Sequence, residues 1–247
     1  MNLQQAIEWQ SKNRLFVSLA ARPGKTGETF YNTLFKYHDI DAEYVACVCT
    51  DLAEDMKLVR AHCAGASVTM PFKSQAKQFV DSSTSTTQTV NTIVNTDGVL
   101  TAHNCDFLGL VDAVGQNFKG KHVVILGDGA MAENVRLLCQ DATITQASRK
   151  ADTWHLRHTS CDVLINTTSI GMNPDESPVN YINANTVVDC VIGNTQLINK
   201  ANAMGAHTIS GAAIYIAQFM HQFKYYTNQQ PDQGVVDMVA KQLFNYD

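Results

Sequence analysis

The sequence lacks several features that would assign it quickly to a class of protein. No apolar run among its 247 residues is long enough to cross a bilayer, and no basic segment followed by an apolar one marks a secretory signal at the N-terminus. Positive charge is also scarce, because 18 Lys and Arg stand against 23 Asp and Glu for a net charge of −5. Nucleic acids are bound by clustered cations, so we expect no nucleic-acid partner. Because an apolar span and a secretory signal are both missing, we expect a cytoplasmic protein with no membrane partner.

Cysteine is present but shows no paired pattern. The seven cysteines are odd in number and scattered, mostly within apolar stretches, which is typical of buried thiols in a reducing compartment. Cys47 and Cys49 suggest a redox or zinc motif. On a strand, however, residues two apart share a face and lie too far apart for an undistorted disulfide. We therefore expect no disulfide and no metal there.

The first half of the chain alternates short apolar runs with one clear helical pattern. Apolar residues make up 45% of the sequence and charged residues 17%, as in a globular protein, and we find no internal repeat or low-complexity linker. Helical spacing covers residues 27–38. Strands are predicted at residues 15–19, 43–49 and 66–70, and a hairpin is predicted at Asp97-Gly98 between residues 92–95 and 99–102.

The second half predicts a doubly wound sheet. An apolar strand at residues 121–126 runs into a glycine-rich loop, and helical spacing follows it. Further strands are expected at residues 142–147, 162–166, 186–191 and 207–210. Strands that alternate with helices imply parallel crossovers, so the fold class is α/β. The interval 149–161 is too short for a strand plus a full helix.

The loop after the 121–126 strand carries the pattern of a dinucleotide site. Gly127 permits the tight turn, Gly129 lets the backbone approach a pyrophosphate, and Ala132 still allows close helix packing. Ala130 and Met131 open the helix, whose N-terminus offers N–H groups and partial positive charge to phosphates. We interpret this loop as a cofactor site.

The residues that end the next strand indicate which cofactor it is. An acid there would bond a ribose 2′-hydroxyl, whereas cations favour a 2′-phosphate. The sequence has Ser148, Arg149 and Lys150, and the nearest acid, Asp152, lies beyond both cations. NADP is therefore favoured over NAD; the alternative is a solvated turn with ordinary surface charges.

Lys73 and Asp106 are the candidate proton-transfer pair. Lys73 closes the run SVTMPFK at residues 67–73, and Asp106 ends HNCD at residues 103–106. A positioned acid can protonate the alkoxide that develops when a carbonyl accepts a hydride, and a nearby carboxylate can orient it. The alternative is a structural ion pair.

Five motifs in order resemble those of shikimate dehydrogenases, over nearly the whole chain. They are SVTMPFK (67–73), VNTI (90–93), NCD (104–106), INTTSIGM (165–172) and SGAAIYIAQ (210–218). The resemblance implies NADPH-dependent reduction of 3-dehydroshikimate to shikimate, as in aromatic amino acid biosynthesis. It also implies a substrate-binding catalytic domain (1–108), an NADP-binding Rossmann domain (109–211) and C-terminal helices that return to the first domain (212–247).

By motif, the resemblance also implies roles for individual residues. Lys73 and Asp106 match the catalytic pair, and Gly211 and Ile214 match positions near the nicotinamide. Substrate hydroxyls would be bound by Thr69, Asn91 and Gln218. The remaining cofactor contacts would come from Gly127, Gly129, Ala130, Met131, Ser148, Arg149, Lys150 and Thr167.

Departures from the family pattern fall on the substrate side. The usual Ser-x-Ser-Pro that holds the substrate carboxylate is replaced by RPGKTGET at residues 22–29, where Thr26 retains one hydroxyl. Arg22 or Lys25 could bind a carboxylate instead or point to solvent. Cys105 replaces the usual middle threonine, and Ile192 stands at an expected tyrosine, followed by a shortened stretch. The chain thus resembles the divergent shikimate dehydrogenase-like branch.

Three functions stay open from the sequence. The first is an NADP-dependent dehydrogenase acting on shikimate or 3-dehydroshikimate, and the second a dehydrogenase for quinate or an amino-shikimate analogue. The third is a dinucleotide-binding sensor with little turnover, against which the intact Lys73 and Asp106 argue. We expect a small cyclic hydroxy acid as the ligand, and a protein that is a monomer or homodimer. His155, His158 and Cys161 have helical zinc-ligand spacing, but surface histidines on a short helix are expected there.

Overall fold

A computed structural model describes residues 1–244, which form two compact units. The first unit comprises residues 1–105 and 219–243, and the second comprises residues 106–218 and also Phe244. The last three residues of the predicted C-terminal segment 212–247 lie outside the described residues. In the described part of the chain, no helix combines the length and apolar character needed to cross a membrane.

The first unit is built on a mixed sheet of six strands. In spatial order, β2-β1-β3-β5-β6-β4 form the sheet; their bounds are β1 (Arg14–Ala20), β2 (Ala42–Val48), β3 (Gly65–Val68), β4 (Ser82–Ser83), β5 (Thr92–Thr96) and β6 (Val99–His103). β1 pairs in parallel with β2 and β3, while β5 pairs antiparallel with β3 and β6. Strands 15–19, 43–49 and 66–70 are confirmed, the last ending two residues early at Val68.

The β5–β6 connection confirms the predicted hairpin. Asp97 has a left-handed backbone with φ of +50°, and Gly98 has φ of +86°. Two successive left-handed residues are what a two-residue type I′ turn requires, and Asp-Gly satisfies it with little strain. The short loop fixes the register in which Thr92 lies opposite His103.

The first unit also contains helices. They are α1 (Leu3–Trp9), α2 (Thr26–Tyr37), α3 (Leu52–His62), the second part of α7 (Gly211–Thr227), and all but the last residue of α8 (Gln233–Phe244), with a 3₁₀ helix at Ala76–Phe79. Of these, α1 and α2 contact β2. α2 confirms the predicted helix and buries Phe30, Tyr31, Leu34 and Phe35 on one face. Asp51 caps the N-terminus of α3, and its carboxylate accepts the N–H groups of Ala53 and Glu54.

The second unit is a five-stranded, wholly parallel sheet. Its spatial order is β11-β10-β9-β7-β8, with β7 (His122–Leu126), β8 (Thr143–Ala147), β9 (Cys161–Asn166), β10 (Ala184–Asp189) and β11 (His207–Ile209). The predicted doubly wound α/β fold is confirmed. The order reverses at β7, and ligands of such sheets bind at the carboxyl ends of the strands beside this reversal.

Two helices connect parallel strands of this sheet: α5 (Ala130–Leu138) joins β7 to β8, and α6 (Gln196–Ala203) joins β10 to β11. α4 (Cys105–Val114) precedes β7 along the chain, and the first part of α7 follows β11. The interval 149–161 holds only a 3₁₀ helix at Trp154–His158, as its length predicts. β10 ends at Asp189 instead of residue 191, because the Asp189 carboxylate itself accepts the N–H of Val191.

Candidate active site

Lys73 and Thr69 lie on the segment that follows β3 in the first unit. The Thr69 N–H donates to the Leu19 carbonyl at 3.1 Å, which holds the segment to the end of β1. The Val90 N–H donates to the Lys73 carbonyl at 3.1 Å. Both side chains are half-buried. The backbone of the SVTMPFK motif is thus fixed on two sides, which gives Lys73 a defined position.

Asn91 is a buried residue just before β5, with 1% of its surface exposed. Its side-chain oxygen accepts the N–H of Cys105 and the hydroxyl of Thr92, each at 2.8 Å. Its backbone N–H donates to the His103 carbonyl at 3.1 Å. Asn91 therefore ties the VNTI motif to the start of α4.

Sequence reasoning missed a buried polar chain that continues from Asn91. The Gln222 amide nitrogen donates to the Thr92 hydroxyl at 2.8 Å, and the Gln222 oxygen accepts the Tyr31 hydroxyl at 2.5 Å. These bonds join α7, β5 and α2 within the first unit. A signal was present, since Gln222 lies four residues after Gln218 and hence on the same helix face.

The segment that replaces the family's carboxylate motif is largely exposed. Arg22 and Lys25 are exposed, and Thr26 is a half-buried first residue of α2. Gly27 packs closely behind it, because a Cβ there would lie 3.4 Å from the Tyr44 ring. The substrate role of Thr26 stays a prediction.

Asp106 lies in the first turn of α4 in the second unit and is 2% exposed. One turn later, Gly109 allows α4 to touch α7: a Cβ there would lie 2.7 Å from the Ile214 carbonyl oxygen and 2.8 Å from the Gln218 nitrogen. Asp106 and Gln218 are thus fixed by one helix crossing. Tyr215 belongs to the same crossing, and burial, followed by the Asp106 charge, raises the pKa of Tyr215 to about 12.

The glycine loop follows β7 directly, as predicted. Gly127 has φ of +110°, and its N–H donates to the Ala147 carbonyl at 2.9 Å. A Cβ on Gly127 would lie 2.6 Å from the Thr167 hydroxyl oxygen, so only glycine fits there. Gly129 precedes α5, and a Cβ there would meet nothing within 4 Å. The space over Gly129 suits the approach of a phosphate group.

Ser148 and Lys150 contact an acid of the glycine loop. Ser148 donates its hydroxyl to the Asp128 carboxylate at 2.5 Å, and the Lys150 ammonium lies 3.5 Å from the other Asp128 oxygen. Ser148 is 2% exposed, whereas the Lys150 side chain is 82% exposed. Asp128 was not identified from the sequence, although an acid between the two loop glycines was visible there.

Arg149 lies over the Trp154 ring, with its guanidinium carbon 5.4 Å from the ring centroid. The Arg157 guanidinium carbon lies 5.3 Å from the same centroid. Such contacts hold a guanidinium in place by cation–π attraction. Trp154 was a second residue that the sequence did not identify.

These residues line one cavity of about 250 Å³ at the carboxyl ends of β7, β8 and β9. Its lining contains Gly127, Asp128, Gly129, Ser148, Arg149, Lys150, Trp154, Thr167, Thr168 and Ser169. Open space at Gly129, the N-terminus of α5 and two cations together fit the phosphates and ribose of a dinucleotide.

Thr167, Gly211 and Ile214 make contacts within the second unit. Thr167 lines the cavity but donates its hydroxyl to the Leu126 carbonyl at 2.6 Å. A Cβ on Gly211 would lie 2.3 Å from the Val191 carbonyl oxygen, so this glycine permits a close backbone approach. Ile214 is 3% exposed and packs in the core. Their cofactor roles stay predictions, as do those of Ala130 and Met131.

A buried carboxylate supports the loop that carries Thr167. Asp189 is fully buried, and desolvation raises its pKa. It accepts the Asn166 amide at 2.9 Å and the Thr195 hydroxyl at 2.6 Å. These bonds connect the ends of β9 and β10, so Asp189 positions two loops at the carboxyl edge of the sheet.

The histidine cluster shows no metal geometry. His158 stacks on Tyr181 with ring centroids 4.6 Å apart. Among residues 1–244, no group of three or more His, Cys, Asp or Glu is arranged to hold a metal ion. All seven cysteines are free thiols, and burial raises the pKa of Cys47 to about 12.

The second unit thus has the strand order, glycine loop and cations of a dinucleotide-binding domain.

A family model described as the shikimate dehydrogenase substrate binding domain matches residues 28–96. A shikimate dehydrogenase-like protein from Haemophilus influenzae is 32% identical, with 92% of this chain and 95% of that protein covered. A shikimate dehydrogenase (NADP(+)) from Pyrococcus abyssi is 29% identical, with 85% and 90% covered.

A solved structure shows that the fold is also similar to that of a shikimate dehydrogenase-like protein. A shikimate 5-dehydrogenase-like protein matches with a TM-score of 0.83 and 30% identity, covering 94% of this chain and 97% of that one. The chain therefore belongs to the shikimate dehydrogenase family, a family of oxidoreductases. The resemblance of its motifs to this family, and to the divergent branch within it, is confirmed.

Proposed function

We propose that this protein is an NADP-dependent oxidoreductase that interconverts 3-dehydroshikimate and shikimate, or a closely related cyclic hydroxy acid. The observation that carries the proposal is the cavity lined by Gly127, Gly129, Arg149 and Lys150, whose two cations would meet a cofactor phosphate. Several relatives bear NADP(+) in their names, which supports this choice.

Lys73 and Asp106 are the residues that we propose for proton transfer. A bound reduced nicotinamide supplies the hydride. The Lys73 ammonium then donates a proton to the oxygen that develops negative charge, and the Asp106 carboxylate orients the reacting group. The close contact of Gly109 with α7 supports this role, because it limits the movement of α4 one turn after Asp106.

Polar groups of the first unit are proposed to bind the substrate's hydroxyls. Thr69 and Asn91 lie on fixed backbone segments, and Asn91 is oriented by the bonds to Cys105 and Thr92. Gln218 is proposed as a further partner, and Thr26, with Arg22 or Lys25, as the group that meets the carboxylate. A charge-assisted contact from either cation would replace the bonds of the missing serines.

The experiment is NADPH oxidation by the purified full-length protein with a panel of cyclic keto acids. We expect turnover with 3-dehydroshikimate, and reduction of the keto acid that corresponds to quinate if the altered segment 22–29 has changed the substrate. NADPH binding without turnover on any member of the panel would favour the sensor and contradict the proposal. Faster turnover with NADH than with NADPH would contradict the role given to Arg149 and Lys150.

A further inference from the structure

The cofactor cavity contains a carboxylate as well as cations. Asp128 lies between the two loop glycines and lines the same cavity as Arg149 and Lys150, with 30% of its side chain exposed. The hydrogen bond from Ser148, with the charge of Lys150, holds the pKa of Asp128 below its usual value despite partial desolvation. Asp128 is therefore a fixed negative charge at neutral pH.

Asp128 also occupies the groups that would otherwise bind a phosphate. Ser148 has one hydroxyl proton, and it donates this proton to Asp128 at 2.5 Å. The Ser148 oxygen accepts the N–H of Lys150 at 3.1 Å. The Lys150 ammonium faces Asp128 at 3.5 Å. A phosphate that approached Ser148 and Lys150 would have to displace both from the carboxylate.

A ribose 2′-hydroxyl and a 2′-phosphate respond to this carboxylate in opposite ways. The hydroxyl can donate a hydrogen bond to an ionised carboxylate, whereas a phosphate carries only negative charge toward it. We propose that Asp128 sets the cofactor preference of this protein, weakening the hold on a 2′-phosphate and favouring a ribose 2′-hydroxyl, so that the chain binds NAD as well as NADP. This inference rests on the proposed function, because it assumes that a nicotinamide dinucleotide occupies the cavity.

The test is the affinity of the full-length protein for NADP⁺ and NAD⁺, measured by titration calorimetry. In Asp128→Asn we expect the ratio of NADP⁺ to NAD⁺ affinity to rise about tenfold, the scale of one unit-charge interaction near a protein surface. The matched control is Asp152→Asn, which removes an exposed carboxylate two residues after Lys150. It should change the ratio less than about twofold.

A second variant does not depend on the folding of Asp128→Asn. Lys150 is 82% exposed, so Lys150→Gln is expected to fold normally. Because Asp128 already engages Lys150, Lys150→Gln should weaken NADP⁺ binding less than about threefold in the wild-type background and about tenfold in Asp128→Asn. This non-additivity measures the competition between carboxylate and phosphate for one ammonium.

The outcomes separate this inference from the proposed function. An unchanged or lower affinity ratio in Asp128→Asn overturns the inference, as does an equal effect of Asp152→Asn. So does a tenfold loss in Lys150→Gln alone. In each of these cases NADP⁺ still binds and the proposed function stands. If the wild-type protein bound neither dinucleotide, both proposals would fail together.

Discussion

The Tyr31 hydroxyl donates a hydrogen bond to the side-chain oxygen of Gln222 at 2.5 Å, deep inside the first unit. Tyr31 is fully buried and Gln222 is 1% exposed. The Gln222 amide nitrogen donates to the Thr92 hydroxyl, and this hydroxyl donates to the side-chain oxygen of Asn91. One substrate-binding candidate is thus oriented through a chain of bonds that begins on α2.

Removing the tyrosine hydroxyl should destabilise the protein. Tyr31→Phe leaves the buried Gln222 oxygen without this donor, and we expect a loss of about 1–3 kcal/mol in the free energy of unfolding. Urea denaturation measures it. The control is Tyr37→Phe on the same helix, whose side chain is 58% exposed and should lose less than about 0.5 kcal/mol. Equal losses in the two variants would show that the bond to Gln222 contributes nothing.

The contact between α4 and α7 should not tolerate a methyl group. In Gly109→Ala the added Cβ would lie 2.7 Å from the Ile214 oxygen and 2.8 Å from the Gln218 nitrogen. Both are backbone atoms, so the helices must separate, at about 1–3 kcal/mol of stability. Since Asp106 and Gln218 flank the contact, activity should fall as well.

Thermal unfolding and kinetic assays of Gly109→Ala check this expectation. Gly24→Ala is the control for stability, because a Cβ at Gly24 would meet nothing within 4 Å. A Gly109→Ala protein as stable as Gly24→Ala and as active as the wild type would contradict the assigned contact.

Buried His103 should make stability depend on pH. It is 8% exposed, stacks on Tyr225 with centroids 3.7 Å apart, and pairs with the Thr84 hydroxyl at 2.8 Å. Burial lowers its pKa. A lowered folded-state pKa contributes stability that is present above the unfolded value, about 6.5, and lost as the pH falls through the folded value.

We therefore expect the free energy of unfolding to fall as the pH drops below about 6.5, by at most about 1.4 kcal/mol per pH unit from this residue. Urea unfolding at several pH values measures the slope. His103→Gln should make it shallower, while His155→Gln, at an exposed position, should leave it unchanged. A slope unaltered by His103→Gln would refute the assignment.

Much of the fold could be predicted because local patterns and tertiary structure agree. The apolar run at residues 121–126 became β7, and Asp97-Gly98 became the turn. β4 (Ser82–Ser83) could not be predicted, because two residues carry no periodicity. Some strand ends differed from the predicted ones because a side chain bonds the backbone there. β10, for example, ends early where the Asp189 carboxylate accepts the N–H of Val191.

The candidate site could be predicted only in part, because sequence spacing relates residues only within one helix, strand or loop. Spacing identifies residues near one another on one element, such as Gly127 and Gly129. It does not reveal side chains brought together from distant elements, such as Tyr31 and Gln222 or Asp128 and Lys150. Those pairs depend on the packing of strands and helices that are far apart in the chain.

The central claim is tested most directly by the rate of NADPH oxidation with 3-dehydroshikimate in Lys73→Ala. We predict a fall in kcat of at least about 100-fold, because the proton donor is gone. NADPH affinity should stay within about twofold, since the proposed cofactor residues lie in the other unit. Lys57→Ala, at an exposed lysine that pairs with Glu54 at the surface, should behave as wild type. Wild-type turnover in Lys73→Ala would contradict the account.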